Sequence, residues 1–285
     1  MKRYFISFFL FVALYVHAQV NQPVVVFNKQ EPLDTCLLEV TYRLKMVTDT
    51  LDRDERVEDR IVLKIGKRVS RNYSYKIYYA DSLGRALADR GAESIPGVKG
   101  TAFPEEVFYD KVNRRFQVFY RACTGMPIYT YEEPVSPIAW KLTSQQKEIA
   151  GYLCHEAIGN FRGRRYTTYF TMDVPFPEGP YKFVGLPGLI LSLSDDHRDY
   201  VWECIGLKKG SPQDIIYRNS DPNNSEIVET DRKQLRKIVA QMYRDMVGIQ
   251  SAIGQEVYVM GSDGKYHVAK SGDVPAAPYN PLEME

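Results

Sequence analysis

Residues 35–47 read Thr-Cys-Leu-Leu-Glu-Val-Thr-Tyr-Arg-Leu-Lys-Met-Val, and this stretch decides the fold. Leu38, Val40, Tyr42, Leu44 and Met46 fall on one side of an extended chain, and Glu39, Thr41, Arg43 and Lys45 on the other. A period of two is the mark of a strand with one buried and one wetted face. Working outward, residues 49–60 are dense in charge and read as a solvated connection. Strand patterns return at 61–65 and 73–79. Asp81-Ser82-Leu83-Gly84 then breaks the pattern, and 91–100 is a Gly-containing loop around Pro96. A hairpin is expected with Val107, Phe108 and Tyr109 on one arm and Phe116, Val118 and Tyr120 on the other. Further strands are expected at 128–131, 148–158, 164–172, 189–193 and 200–207, with the connection 159–163 joining the second and third of these. Two short candidates follow at 256–260 and 265–269.

One segment has helical spacing. Leu235, Ile238, Val239, Met242 and Met246 recur over 230–247 with polar residues between them. Thr230 or Asp231 is placed to cap its start, and Gly248 is read as its left-handed terminator. The stripe is assigned to core packing. Aromatic content, 21 Tyr and 13 Phe, suits strands. The expected fold is mainly β: a curved antiparallel sheet or partly open barrel-like meander, with one long C-terminal helix packed on it.

The first 18 residues have the layout of an export signal. Lys2 and Arg3 precede an apolar run at 4–16, and Val16-His17-Ala18 is a small-residue cleavage site before Gln19. The run is too short to span a bilayer. The next cysteine is Cys36, far from the cleavage site, which argues against a lipid anchor. Three segments are therefore expected: 1–18 as signal, 19–210 as a β-rich domain, and 211–285 as a helix and tail packed on that domain. The product is expected to be exported, periplasmic or outer-membrane associated, with no transmembrane segment. The balance of 37 basic against 36 acidic residues gives no electrostatic case for nucleic acid.

The most distinctive string is Gly-Pro-Tyr-Lys-Phe-Val-Gly-Leu-Pro-Gly-Leu-Ile at 179–190. Gly179-Pro180 opens it. In Gly185-Leu186-Pro187-Gly188-Leu189-Ile190, Pro187 fixes φ at the second position of a type II turn, and Gly188 is expected to supply the positive φ of the third. Nothing in this turn can move a proton, so it is read as a rigid corner that sets strand register. The string resembles the signature of the GLPGLI family, Gram-negative envelope proteins without an established activity. The resemblance extends to Trp140-Lys141-Leu142, Gly151-Tyr152-x-Cys154, Gly163-Arg164 and Asn280-Pro281-x-Glu283. It departs at Thr168-Tyr169-Phe170-Thr171, where the family often carries Trp. It implies an accessory role beside TonB-dependent outer-membrane receptors.

Catalytic residue types are sparse. Arg162-Gly163-Arg164-Arg165 offers bidentate anion contacts but is read as a solvated hairpin end. Asp195-Asp196-His197 with Asp199 offers cation ligands but is read as a solvated turn. Cys36, Cys123, Cys154 and Cys204 are compatible with pairing in an oxidising compartment or with buried free thiols, and their spacing matches no zinc site. No cofactor motif is present. The first functional reading is a non-catalytic binding or accessory module partnered with an outer-membrane receptor or another envelope protein. In it the Tyr/Phe-rich concave face is either a contact surface or simply core. The alternative is an exported hydrolase of envelope peptide, ester or glycan, requiring two or three of His155, Glu156, Asp173, His197 and Glu203 to converge in one cleft. A purely architectural role is a third.

Overall fold

The computed structural model describes residues 22–92, 95–223, 225–261 and 263–285. The expected signal, including Lys2, Arg3 and the cleavage site before Gln19, lies outside the described residues. The 35–47 pattern is the second half of β1, Phe27–Met46. Its alternation persists in space: Val40, Tyr42, Leu44 and Met46 are buried, and Arg43 lies on the wet face. β1 pairs antiparallel with β2 (Val57–Gly66) on one side and β11 (Tyr200–Lys209) on the other, and its first half pairs with β12 (Ile215–Pro222).

From β2 the sheet continues through β3 (Val69–Ser74), β4 (Glu105–Asp110), β5 (Arg115–Arg121) and β6 (Ile128–Pro134) to the short β13 (Ile227–Glu229). From β11 it continues through β10 (Leu189–Asp195), β9 (Arg164–Thr171) and β8 (Tyr152–Phe161) to the edge strand β7 (Lys141–Ile149). Among the described residues every strand pairing is antiparallel except that of β13 with β6. The sheet is curved but not closed, as expected. Register shifts along β1 bend it.

Cross-strand rows separate the two faces. Leu44, Trp202, Leu193, Thr168 and Ala157 form a buried row, while Arg43, Glu203, Ser192, Tyr169 and Glu156 form its counterpart on the outer face. The concavity is filled. Phe183 sits at its centre, with ring centroids of Tyr166, Phe161, Trp202 and Tyr181 4.6 to 6.2 Å away. Leu235, Val239 and Met242 of α2 (Arg232–Arg244) and Leu282 join the same core. The concave aromatics are thus core, and the contact-surface reading of that face is corrected.

Three expectations change. The pattern at 73–79 is not one strand: β3 ends at Ser74, and α1 (Tyr75–Ala88) begins, with Ser74 Oγ accepting from Ile77 N at 3.3 Å. Asp81 to Gly84 lie inside this helix, and Gly84 is accommodated because a Cβ there would meet Val24 Cγ1 at 2.6 Å. The expected strand 148–158 is two strands joined at Ala150-Gly151, both at positive φ as in a tight two-residue hairpin. Gly248 does not end the long helix. Asp245 does, and its carboxylate accepts from Gly248 N at 2.8 Å to start α3 (Met246–Ala252). β14 (Tyr258–Met260) and β15 (Tyr266–Val268) form a small separate hairpin. No helix among the described residues is long and apolar enough to cross a membrane.

Candidate functional site

The signature segment is a plug held against the sheet. Gly188 is needed for approach, not for φ: a Cβ there would lie 2.0 Å from the Thr171 carbonyl oxygen. The glycine with positive φ in the string is Gly185, at 99°. This corrects the type II assignment. Trp140 Nε1 donates to Val184 O at 3.1 Å, and Gly159 leaves room for the indole. Behind the turn, Glu178 pairs with Lys111 at 2.5 Å, and burial pushes its carboxyl above the usual range.

The lysine in the string is its most consequential residue. Lys182, whose side chain is 0% exposed, donates to Tyr131 Oη at 2.8 Å, Glu133 Oε1 at 2.6 Å and Glu283 Oε1 at 2.7 Å. Tyr181 Oη bonds both Glu105 and Glu283, and Arg236 of α2 reaches both carboxylates at 3.2 Å. Burial disfavours the Arg236 charge, but Glu105 and Glu283 more than offset this and raise its pKa. The sequence reading missed this network because its bonded pairs stand about 50 to 130 residues apart. A lone Lys amid Tyr, Phe and Val was the one available signal.

The basic and acidic turns prove to be partners, which corrects both solvated readings in part. Arg164 is buried, donating to Asp195 at 2.8 Å and to Asp199 at 3.3 Å. Its remaining donors go to Asn280 Oδ1 and Pro281 O, while Asn280 Nδ2 bonds Val47 O. Arg53 also pairs with Asp199. Arg165, by contrast, is exposed, 3.9 Å from Asp196, and Arg162 turns to Glu133 at 2.8 Å. Among the described residues no three His, Cys, Asp or Glu side chains form a metal-binding group.

The five hydrolase candidates do not converge. Glu203 pairs with Arg43 on the outer face at 3.1 Å. Glu156, on β8, is separated from the strand bearing Glu203 by β9 and β10, and it accepts from Thr143 and Tyr169. His155 contacts Gln146, Asp173 follows β9, and His197 lies in the distant 195–199 turn. Cys36, Cys123, Cys154 and Cys204 are all buried, unpaired thiols, and burial pushes the Cys154 thiol up to about 11.

One open cleft, the mouth cleft, lies beside α2. About 80 Å³ lies between α2, the 278–282 segment and the 101–105 segment. Phe103, Tyr120, Tyr200, Tyr243 and Tyr279 wall it. Burial raises the Tyr120 and Tyr200 phenols, and Tyr243 to about 12, so all three stay neutral donors. Among the described residues, two buried polar atoms on residues that line the cleft lack a hydrogen-bond partner: Gln22 Oε1, an acceptor, and Arg236 Nε, a donor. Each such unmet group costs about 1–3 kcal/mol. An aromatic-walled cavity with a few polar groups is the chemistry of a small-ligand site.

Residues 162–192 match the family described as "Protein of unknown function (Porph_ging)". The matched stretch runs from the Arg162-Gly163 turn through the signature plug into β10. No curated protein matches the chain. Two crystal forms of PNGF-II, in space groups C2 and P21, are similar to part of it, each with a TM-score of 0.47. Identities are 17% and 16%, over 73% and 75% of this chain. The chain spans 33% and 34% of those two structures, about a third of their length.

Proposed function

We propose that this chain is an exported, envelope-associated binding module, accessory to an outer-membrane receptor, that takes a small ligand in the mouth cleft. The observation that carries this reading is the cavity walled by Phe103, Tyr120, Tyr200, Tyr243 and Tyr279, with the polar side chains of Gln22 and Arg236 among its lining. The ligand has a flat apolar body and one polar end that both donates and accepts. No acid–base residue needs to act on it, in keeping with the scatter of the hydrolase candidates.

The test is a thermal-shift screen of small amides, carboxylates and alcohols against the full chain, repeated with Thr101→Phe at the rim. Hits that raise the melting temperature of the parent and not of the variant support the site. Hits that act equally on both, or an absence of hits, refute it. Fractionation of producing cells tests the location, with the envelope fraction expected to yield an N-terminus at Gln19.

A further inference from the structure

Residues 280–283, Asn-Pro-Leu-Glu, belong to no helix or strand, yet their polar groups are taken one by one by distant elements. Asn280 Oδ1 accepts from Arg164 at 2.5 Å, its Nδ2 donates to Val47 O at 2.8 Å, and its carbonyl accepts from Tyr200 Oη at 2.5 Å. Pro281 O accepts twice from Arg164, at 2.6 and 3.1 Å. Leu282 is buried in the core. Glu283 receives Lys182 and Tyr181, both at 2.7 Å, with Arg236 at 3.2 Å and Arg232 at 3.4 Å. Fixed carbonyls, one apolar anchor and a carboxylate among bases are the contacts by which a protein holds a bound peptide.

The groups that hold this segment do not depend on it. Arg164 also has Asp195 at 2.8 Å and Asp199 at 3.3 Å. Lys182 also has Glu133 and Tyr131. Arg236 and Tyr181 share Glu105, and Arg232 reaches Glu133 at 3.4 Å. With 280–283 withdrawn, each of these side chains keeps a partner on the body of the protein. The balance then tips to positive, because Glu133 alone serves Lys182, Arg162 and Arg232. That excess favours the return of a carboxylate.

The tether is light. Among the described residues, the hydrogen bonds that tie 270–278 to the body are Ser271 Oγ to Asp245 at 2.5 Å and Ala277 N to Tyr243 O at 2.7 Å. Fully extended, this stretch spans about 30 Å, enough to reach a neighbouring molecule. Exchange of one element between identical chains reuses the contacts already made within each, so it is a low-cost route to a dimer.

We propose that 280–283 is a ligand seated in a built peptide slot, and that the same segment of a second copy of this chain takes its place. The slot adjoins the mouth cleft, whose wall includes Pro278 to Leu282, but the exchange needs no ligand there.

The test uses a fluorescent peptide, Ala-Pro-Tyr-Asn-Pro-Leu-Glu-Met-Glu, which repeats 277–285, and full-length proteins. The double variant Asn280→Ala/Glu283→Gln weakens the resident segment, and Asn280→Ala alone is a milder second variant that keeps Glu283. By anisotropy, the peptide should bind the double variant at least about tenfold more tightly than the parent, whose own segment competes, with Asn280→Ala in between. A peptide with Gln at the place of Glu283 should bind at least about tenfold more weakly. Light scattering of concentrated parent should show a dimer that excess peptide dissolves. The proposal is overturned if the peptide binds neither variant, binds the parent as tightly as the variants, or tolerates Gln. A parent that stays monomeric, or a dimer that ignores the peptide, overturns it too.

Discussion

Replacing Glu283 with Gln tests whether the buried charge network holds the molecule together. The Glu283 side chain is 0% exposed. Burial alone would push its carboxyl upward. Lys182 at 2.7 Å and Arg236 at 3.2 Å outweigh that and hold it at about 2, against an ordinary 4.5. At about 1.4 kcal/mol per pH unit, this difference corresponds to about 3 kcal/mol of folding stability. The folded value lies below the unfolded one, so the contribution is complete above pH 4.5 and fades as pH falls toward 2. Glu283→Gln keeps the shape and removes the titrating charge. Urea unfolding, followed by the fluorescence of buried Trp202, should show the variant less stable by about 3 kcal/mol at neutral pH. The gap should close as both proteins are taken to pH 2. The difference between the curves reports Glu283 together with Glu105 and Glu133, which share Arg236 and Lys182 with it. A gap that is the same at pH 7 and pH 3, or below about 1 kcal/mol throughout, would refute the reasoning.

Gly188→Ala should destabilise by about 3 kcal/mol or more, measured by thermal unfolding, because the new Cβ would press on the Thr171 carbonyl. Arg164→Met should cost about 3–5 kcal/mol by leaving Asp195 and Asp199 short of a partner, whereas Arg165→Ala should stay within about 0.5 kcal/mol of the parent. Iodoacetamide at pH 8 should leave all four cysteines unlabelled in the native protein and label all four in urea, as intact-mass measurement will show. Fewer than four labels on unfolding without reductant would mean that disulfides form.

How much of this was legible in sequence depends on the range of the forces involved. The pattern at 35–47 translated directly into β1 because side-chain alternation is local and one face had to be dry. The same reasoning failed at 73–79, where tyrosines suit a strand and a helix alike, and the deciding signal was the Ser74 cap. Ala150-Gly151 escaped notice because Ala is no turn former, and only the register of β7 on β8 forces it to positive φ. The mouth cleft was invisible for a different reason. Gln22, Tyr120, Arg236 and Tyr279 meet only once the sheet has curved and α2 has docked, and no spacing in the chain encodes that meeting.

The interlocked charges beneath the signature plug change what this interior can tolerate. Glu105, Glu133, Lys182, Arg236 and Glu283 pair with one another, and Arg162 and Arg232 join them at Glu133 and Glu283, so the loss of any one leaves buried charges short of a partner. Their substitutions will not add independently. Anyone redesigning the interior must exchange the network together, Arg162 and Arg232 included, as one would change every tumbler in a lock, while Leu, Ile and Val positions nearby can be swapped one at a time.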